Sequence, residues 1–254
     1  MTGSKSVNLE ERISLEKKSN FKNKISENKF VISVGGSLVV PDSVDTKFLS
    51  AFRELIIKRV SSKPSFRFIL ICGGGKTARI YQSAAKELTE ISEDDLDWIG
   101  IHATRLNAHL IKTILGNICY KRVLKDPREK VDFGKKKVIV AAGWKPGFST
   151  DYDAVIFAKT YGIKNIINLT NVDYVYDKNP KQFKDARPFK EISWKYYRKL
   201  VGDKWSPGLN APFDPVAAKE AEKLGLTVYI LNGNNMKNLE NLLEGKAFIG
   251  TIIK

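Results

Sequence analysis

The run Phe66-Arg-Phe-Ile-Leu-Ile-Cys72, followed by Gly73-Gly74-Gly75, constrains this chain more than any other feature. A strand that is apolar at nearly every position has both faces buried, as in parallel sheets covered by helices on each side. A second such strand, Phe30-Val-Ile-Ser-Val34, stops at Gly35-Gly36. Segments 46–60, 76–90, 94–116, 152–161, 193–201, 214–224 and 236–244 read as helices. Further strands are expected over 120–125, 138–142, 165–170, 226–231 and 248–253. An irregular stretch is expected over 171–190 and a loop over 202–213. Strands alternating with helices predict an α/β fold with a mostly parallel sheet. Residues 1–28 show no sustained apolar period and are expected to form a flexible basic extension. Residues 29–254 then form one domain with two lobes.

Composition removes several function classes. No stretch approaches the roughly 18 apolar residues of a membrane helix. The polar segment 1–29 has no apolar core of a secretory signal, so a cytoplasmic location is expected. Two cysteines, Cys72 and Cys119, are too few for a disulfide framework, and they suit a reducing compartment. The two histidines, His102 and His109, form no HExxH pair, and no metal site is expected in the protein itself. The chain holds 43 Lys+Arg against 28 Asp+Glu, a formal net charge of +15, which suggests polyanionic partners. The basic residues gather in 1–29, 121–137 and 178–204, without the motifs of a nucleic-acid reader. The excess is therefore read as surface character. Trp194, Tyr197 and Val201 share a helical stripe and are expected in the core rather than against bases.

Three glycine loops follow strands: Val34-Gly35-Gly36-Ser37, Cys72-Gly73-Gly74-Gly75-Lys76 and Gly143-Trp-Lys-Pro-Gly147-Phe-Ser-Thr-Asp151. In an open parallel sheet, ligands gather where strands end, and glycines let the backbone approach a phosphate closely. Gly75-Lys76-Thr77 is not a Walker A loop, because the fifth residue before Gly75 is Leu70. Gly73-x-Gly75-x-x-Ala78 fits the dinucleotide pattern, but the acidic residues that follow, Glu93 to Asp95, join two helices instead of ending a strand. Lys76 and Arg79 lie one turn apart at the start of a helix, so both can face an anion.

The segments VISVGGSLVVPD (31–42), ICGGGKTAR (71–79), DWIGIHATRLNAHL (97–110), GWKPGFSTDYDAV (143–155), LTNVDYVYDKNP (169–180), FDPVAAKEAEKLGL (213–226) and GTIIK (250–254) resemble, in order and spacing, the amino acid kinase superfamily, specifically its archaeal-type uridylate kinases. The resemblance implies a three-layer αβα sandwich and ATP-dependent phosphorylation of UMP to UDP, with Mg²⁺ carried by the nucleotide, in a homohexamer. It places ATP against Gly35, Gly36, Ser37, Gly75, Arg79, Thr170, Tyr176 and Asn179. It places UMP against Gly74, Asp97, Trp144, Lys145, Pro146, Gly147, Phe148, Ser149 and Thr150. Lys76 is the expected catalytic cation, and Asp151 is expected to orient a cation at the reacting phosphates. The chain departs from the pattern at Ser33, where many members of the superfamily carry a first-strand lysine. It departs again at Tyr174 and Asn179, and at Asp153, a carboxylate where an apolar residue is common. Two alternatives stay open: a superfamily phosphotransferase with a carboxylate, carbamate or isopentenyl phosphate acceptor, and a non-catalytic binding or storage protein of the same fold.

Overall fold

The computed structural model describes residues 28–180, 182–202 and 211–254. Most of the expected N-terminal extension, and most of the 202–213 loop, lie outside the described residues.

A seven-stranded sheet runs through the molecule in the order β3-β2-β1-β4-β8-β9-β7. Its strands are β1 (Lys29–Val34), β2 (Arg67–Cys72), β3 (Val138–Ala141), β4 (Asn165–Thr170), β7 (Glu191–Ile192), β8 (Thr227–Asn232) and β9 (Thr251–Ile253). β1 pairs in parallel with both β2 and β4, β2 with β3, and β4 with β8. Among the described strands of this sheet only the β8–β9 pair is antiparallel. From β1 the chain winds outward in one direction through β2 and β3, then returns to β4 on the other side. The order therefore reverses beside β1, and in sheets of this kind ligands bind at the carboxyl ends of the strands beside such a reversal.

Helices cover both faces. They are α1 (Gly36–Val39), α2 (Thr46–Ser62), α3 (Gly75–Leu88), α4 (Glu93–Leu115), α5 (Thr150–Tyr161), α6 (Trp194–Val201), α7 (Pro215–Lys223) and α8 (Met236–Leu243). Phe30, Ile32 and Val34 of β1 pack with Phe52 and Ile56 of α2, Ile111 of α4 and Leu242 of α8. The alternate residues Val31, Ile69 and Ile71 pack on the other face with Phe157 of α5, Tyr197 of α6 and Ala218 of α7. Two cores on one sheet explain why the strand sequences lack polar alternation. The Trp194 and Tyr197 stripe is core, as its period implied; Tyr197 donates its hydroxyl proton to the Phe213 carbonyl at 2.6 Å.

Four expectations need correction. Segment 120–125 is not a regular strand. It touches β3 through the isolated bridges Cys119↔Val138 and Leu124↔Ala141, with exposed Lys121 and Arg122 bending out between them. Arg122 pairs with Glu129, and a charged pair of this kind cannot be flattened onto a buried ladder. Stretch 171–190 is not wholly irregular: β5 (Val175–Tyr176) and β6 (Pro188–Phe189) form an antiparallel pair. Helix α5 begins at Thr150, two residues early, because Ser149 caps it by accepting the Tyr152 N–H at 3.2 Å. The last strand is confined to 251–253.

Candidate active site

The glycine loops after β1 and β2 meet at the carboxyl ends of the strands. A Cβ on Gly36 would lie 2.1 Å from the Gly75 nitrogen and 2.6 Å from the Gly73 carbonyl carbon. A Cβ on Gly73 would lie 2.5 Å from the Gly36 nitrogen. Gly75 also has φ +63°, which favours glycine. The glycines thus let two backbones touch, and they bring the starts of α1 and α3 side by side. Gly35 N–H is spent on the Leu169 carbonyl of β4 at 2.9 Å and Gly73 N–H on the Val34 carbonyl at 3.0 Å, so both loops are tied to the sheet.

The other six α-helices each start with a capping side chain: Asp45, Ser92, Ser149, Ser193, Asp214 and Asn235. Among the described α-helices only α1 and α3 start on glycines with no side-chain cap. First-turn N–H groups have no partner within their own helix. At α3, Lys76 N–H is taken by the Val40 carbonyl at 2.9 Å. Leu38 N–H of α1 goes likewise to the Gly35 carbonyl at 2.9 Å and Ala78 N–H of α3 to the Gly74 carbonyl at 3.4 Å, and the start of α3 adds positive potential beside the loops.

The side chains divide by location. Lys76 is half-exposed and lies 3.8 Å from Asp42, which is itself 92% exposed. A contact of this length between exposed groups is weak, so Nζ is available to another anion. Arg79, one turn on, is exposed, while Ser37 is half-buried. Asp151 heads α5. Its Oδ1 accepts the Ser33 hydroxyl at 3.1 Å and its Oδ2 the Asp214 N–H at 3.2 Å. Both are neutral donors, and they fix the carboxyl between β1 and the start of α7. Burial, and secondarily the Asp214 charge, push the Asp151 carboxyl up to about 7.

The third loop is suspended by its backbone. Gly143 N–H goes to Thr104 Oγ1 at 2.9 Å, Trp144 N–H to Asp153 Oδ2 at 3.1 Å, and Gly147 N–H to Asp97 Oδ2 at 2.8 Å. Arg105 donates to the Trp144 carbonyl at 3.2 Å. The Trp144 ring stacks on Phe148 at 5.3 Å, and Phe148 on Tyr152 at 4.6 Å. Lys145 Nζ lies 4.4 Å from the Trp144 ring centroid and Arg128 lies 4.6 Å from it. Pro146 completes the turn, and Ser149 and Thr150 lie half-buried at the head of α5.

Thr170 ends β4, and its carbonyl accepts the Gly233 N–H at 2.8 Å. Tyr176 lies in β5 with Tyr174 edge-on at 6.2 Å, and the Asn179 carbonyl closes a turn by accepting from Phe183. These three lie along 170–179, after β4.

Three polar side chains of α4 were not anticipated: Thr104, Arg105 and Asn107. Asn107 donates Nδ2 to the Gly73 carbonyl at 2.8 Å and to the Gly74 carbonyl at 3.2 Å, bracing the triple-glycine loop. The one signal is that Thr104 and Asn107 are polar at i, i+3 on the otherwise apolar buried face of the helix.

A doubly wound sheet with two uncapped glycine loops touching at its switch point is the frame of a protein that handles phosphate groups. The chain belongs to the amino acid kinase family, whose model matches residues 28–232. It is 33% identical to the uridylate kinase of Methanospirillum hungatei over 225 residues, covering 88% of this chain and 93% of that one. It is 34% identical to the uridylate kinase of Methanothermobacter thermautotrophicus over 227 residues, covering 89% and 98%. The crystal structure of uridylate kinase from Archaeoglobus fulgidus superposes with a TM-score of 0.72 at 32% identity, covering 89% of this chain and all of that one.

Proposed function

We propose that this protein is a uridylate kinase that transfers the γ-phosphoryl group of ATP to UMP, giving UDP and ADP. The observation that carries the reading, beside the relatives, is the pair of touching, uncapped glycine loops flanked by Lys76 and Arg79. Two polyanions have to be brought end to end, which is chiefly a matter of positioning and charge neutralisation. The acceptor is a phosphate oxygen already ionised at neutral pH, so no general base is needed.

In this reading Gly35, Gly36, Ser37, Gly75 and Arg79 face the ATP phosphates. Thr170, Tyr176 and Asn179 line its nucleoside end, on the C-terminal lobe. Gly74, Asp97 and the 144–150 loop receive UMP on the N-terminal lobe. The second oxygen of Asp97 serves the ribose, while Oδ2 keeps Gly147 in place. Lys76 swings from its loose contact with Asp42 to the transferring phosphoryl group. Asp151, fixed by the Ser33 hydroxyl and the Asp214 N–H, orients a cation at the reacting phosphates. Among the described residues no cluster of three His, Cys, Asp or Glu side chains is arranged to hold a metal ion. Mg²⁺ is assigned to the nucleotide substrate, where it screens the phosphate charge.

Self-association fits an exposed apolar face. Ile80, Tyr81 and Leu88 of α3 and Leu106 of α4 are all more than half exposed, and Ala78 alone is buried on α3. Exposed apolar side chains on two neighbouring helices suit a subunit interface, and the homohexamer is our assignment for it. A cytoplasmic location is in keeping with two unpaired cysteines and with no described helix long and apolar enough to cross a membrane.

The test is ADP release from ATP and Mg²⁺ with UMP, CMP, dUMP and GMP offered separately. UMP supporting the fastest turnover is expected. No turnover with any nucleotide would sink the kinase reading, and equal rates with CMP would sink the preference for uridine.

A further inference from the structure

We infer that Asp153 is a positioning residue for the acceptor loop, fixing the Trp144 peptide from which the 144–150 segment departs. The inference deepens the proposed function and rests on the reading of that segment as the UMP loop. Asp153 sits in the first turn of α5 and is 0% exposed. Its neighbours Ala154 and Val155 are also fully buried and apolar. A carboxyl group in such a place is costly, and an apolar residue of similar size would favour the fold. One of its oxygens makes no bond at all: Oδ1 is buried with no partner. The side chain is therefore poorly explained by stability.

What it does hold is specific. Oδ2 accepts the Trp144 N–H at 3.1 Å, nine residues back along the chain, while Arg105 grips the Trp144 carbonyl from α4 at 3.2 Å. Both polar groups of one peptide residue are thus held by side chains from two helices. The Trp144 ring in turn carries Phe148 and the Lys145 ammonium. A shift of the Trp144 peptide would move an aromatic and a cation of the loop together. Burial, reinforced by Asp126 and Asp151, pushes the Asp153 carboxyl up to about 8, so near neutral pH it acts mainly as an uncharged acceptor. An amide of the same shape can replace such a group.

The experiment compares wild type, Asp153→Asn and Asp153→Leu, with KM for UMP and for ATP measured separately. Amide hydrogen exchange is followed over 143–150 without substrate. Asp153→Leu leaves the Trp144 N–H unpaired and is expected to raise the UMP KM about ten-fold, with ATP KM held within about two-fold. Exchange in the loop is expected to quicken. Asp153→Asn is expected to restore both readouts. An unchanged UMP KM and unchanged exchange in a folded Asp153→Leu would overturn the inference, as would an equal rise in both KM values. If the leucine variant does not fold, Asp153→Ala carries the same expectations. A wild type inert toward UMP would overturn the substrate reading, and the exchange measurement would still decide the role of Asp153.

Discussion

Replacing Gly36 by alanine tests whether contact between the two glycine loops is what builds the site. The new Cβ would meet the Gly75 nitrogen at 2.1 Å, the Gly73 carbonyl carbon at 2.6 Å and the Gly74 nitrogen at 2.8 Å. All three atoms are backbone, so no side chain can swing away, and the loops have to part by on the order of 1 Å to restore contact distance. Overpacking of this kind costs about 1–3 kcal/mol. In a chain of this size that lowers Tm by roughly 2–4 °C per kcal/mol, giving a fall of about 2–12 °C. The activity loss is expected to be larger in proportion, because a displacement of about 1 Å at a reacting centre costs about a hundred-fold. Gly245→Ala is the control. It places alanine at φ +69° after α8 with nothing within 4 Å of the new Cβ. It is expected to cost about 1–2 kcal/mol of backbone strain and leave kcat/KM unchanged. Melting curves and steady-state kinetics on both variants decide the matter. Wild-type kcat/KM in Gly36→Ala would refute the reasoning.

Lys76→Ala is expected to lower kcat about a hundred-fold or more while UMP binding, followed by calorimetry, changes little; a wild-type kcat refutes the role given to Lys76. Thr104→Val removes the hydroxyl that accepts from Gly143 N–H and donates to the Ile101 carbonyl at 2.6 Å, and urea titration is expected to show a loss of about 1–3 kcal/mol. The carboxyls of Asp151 and Asp153 are raised in the folded state to about 7 and about 8. The native protein therefore holds these protons more tightly than the unfolded chain does. Their contribution to stability is fully present below about pH 4 and is lost as pH climbs through the folded values. Melting temperature is expected to carry a falling component between about pH 5 and about pH 9, weakened in Asp151→Asn; an unchanged slope in that variant contradicts the assignment.

Much of the frame was legible from residue pattern. FRFILIC reads as a strand buried on both faces because helices do cover both faces, and Asp214-Pro215 reads as a helix start because Asp214 accepts the Ala217 N–H at 2.7 Å. Such signals are local. Segment 120–125 misled because its apolar residues do line β3, yet Lys121 and Arg122 break the ladder between them. The β5–β6 pair has strands of two residues, too short to show a period. In the site, the glycines were visible but their mutual contact was not. Thr104 and Asn107 act on backbone groups 39 and 34 positions away, and nothing in their neighbourhood along the chain marks those partners. Asp151 was found by its place in the STD segment, but its partners, Ser33 and the Asp214 N–H, come from distant strand and helix ends.

The central claim is that the touching glycine loops serve transfer between two nucleotides, one of them UMP. Its most direct test is to incubate the purified protein with UMP and ATP labelled at the γ-phosphate, in the presence of Mg²⁺, and to identify the labelled product. The account predicts label in UDP, with that transfer abolished or nearly so in Gly36→Ala. Label remaining in ATP, or released only as inorganic phosphate, would contradict it.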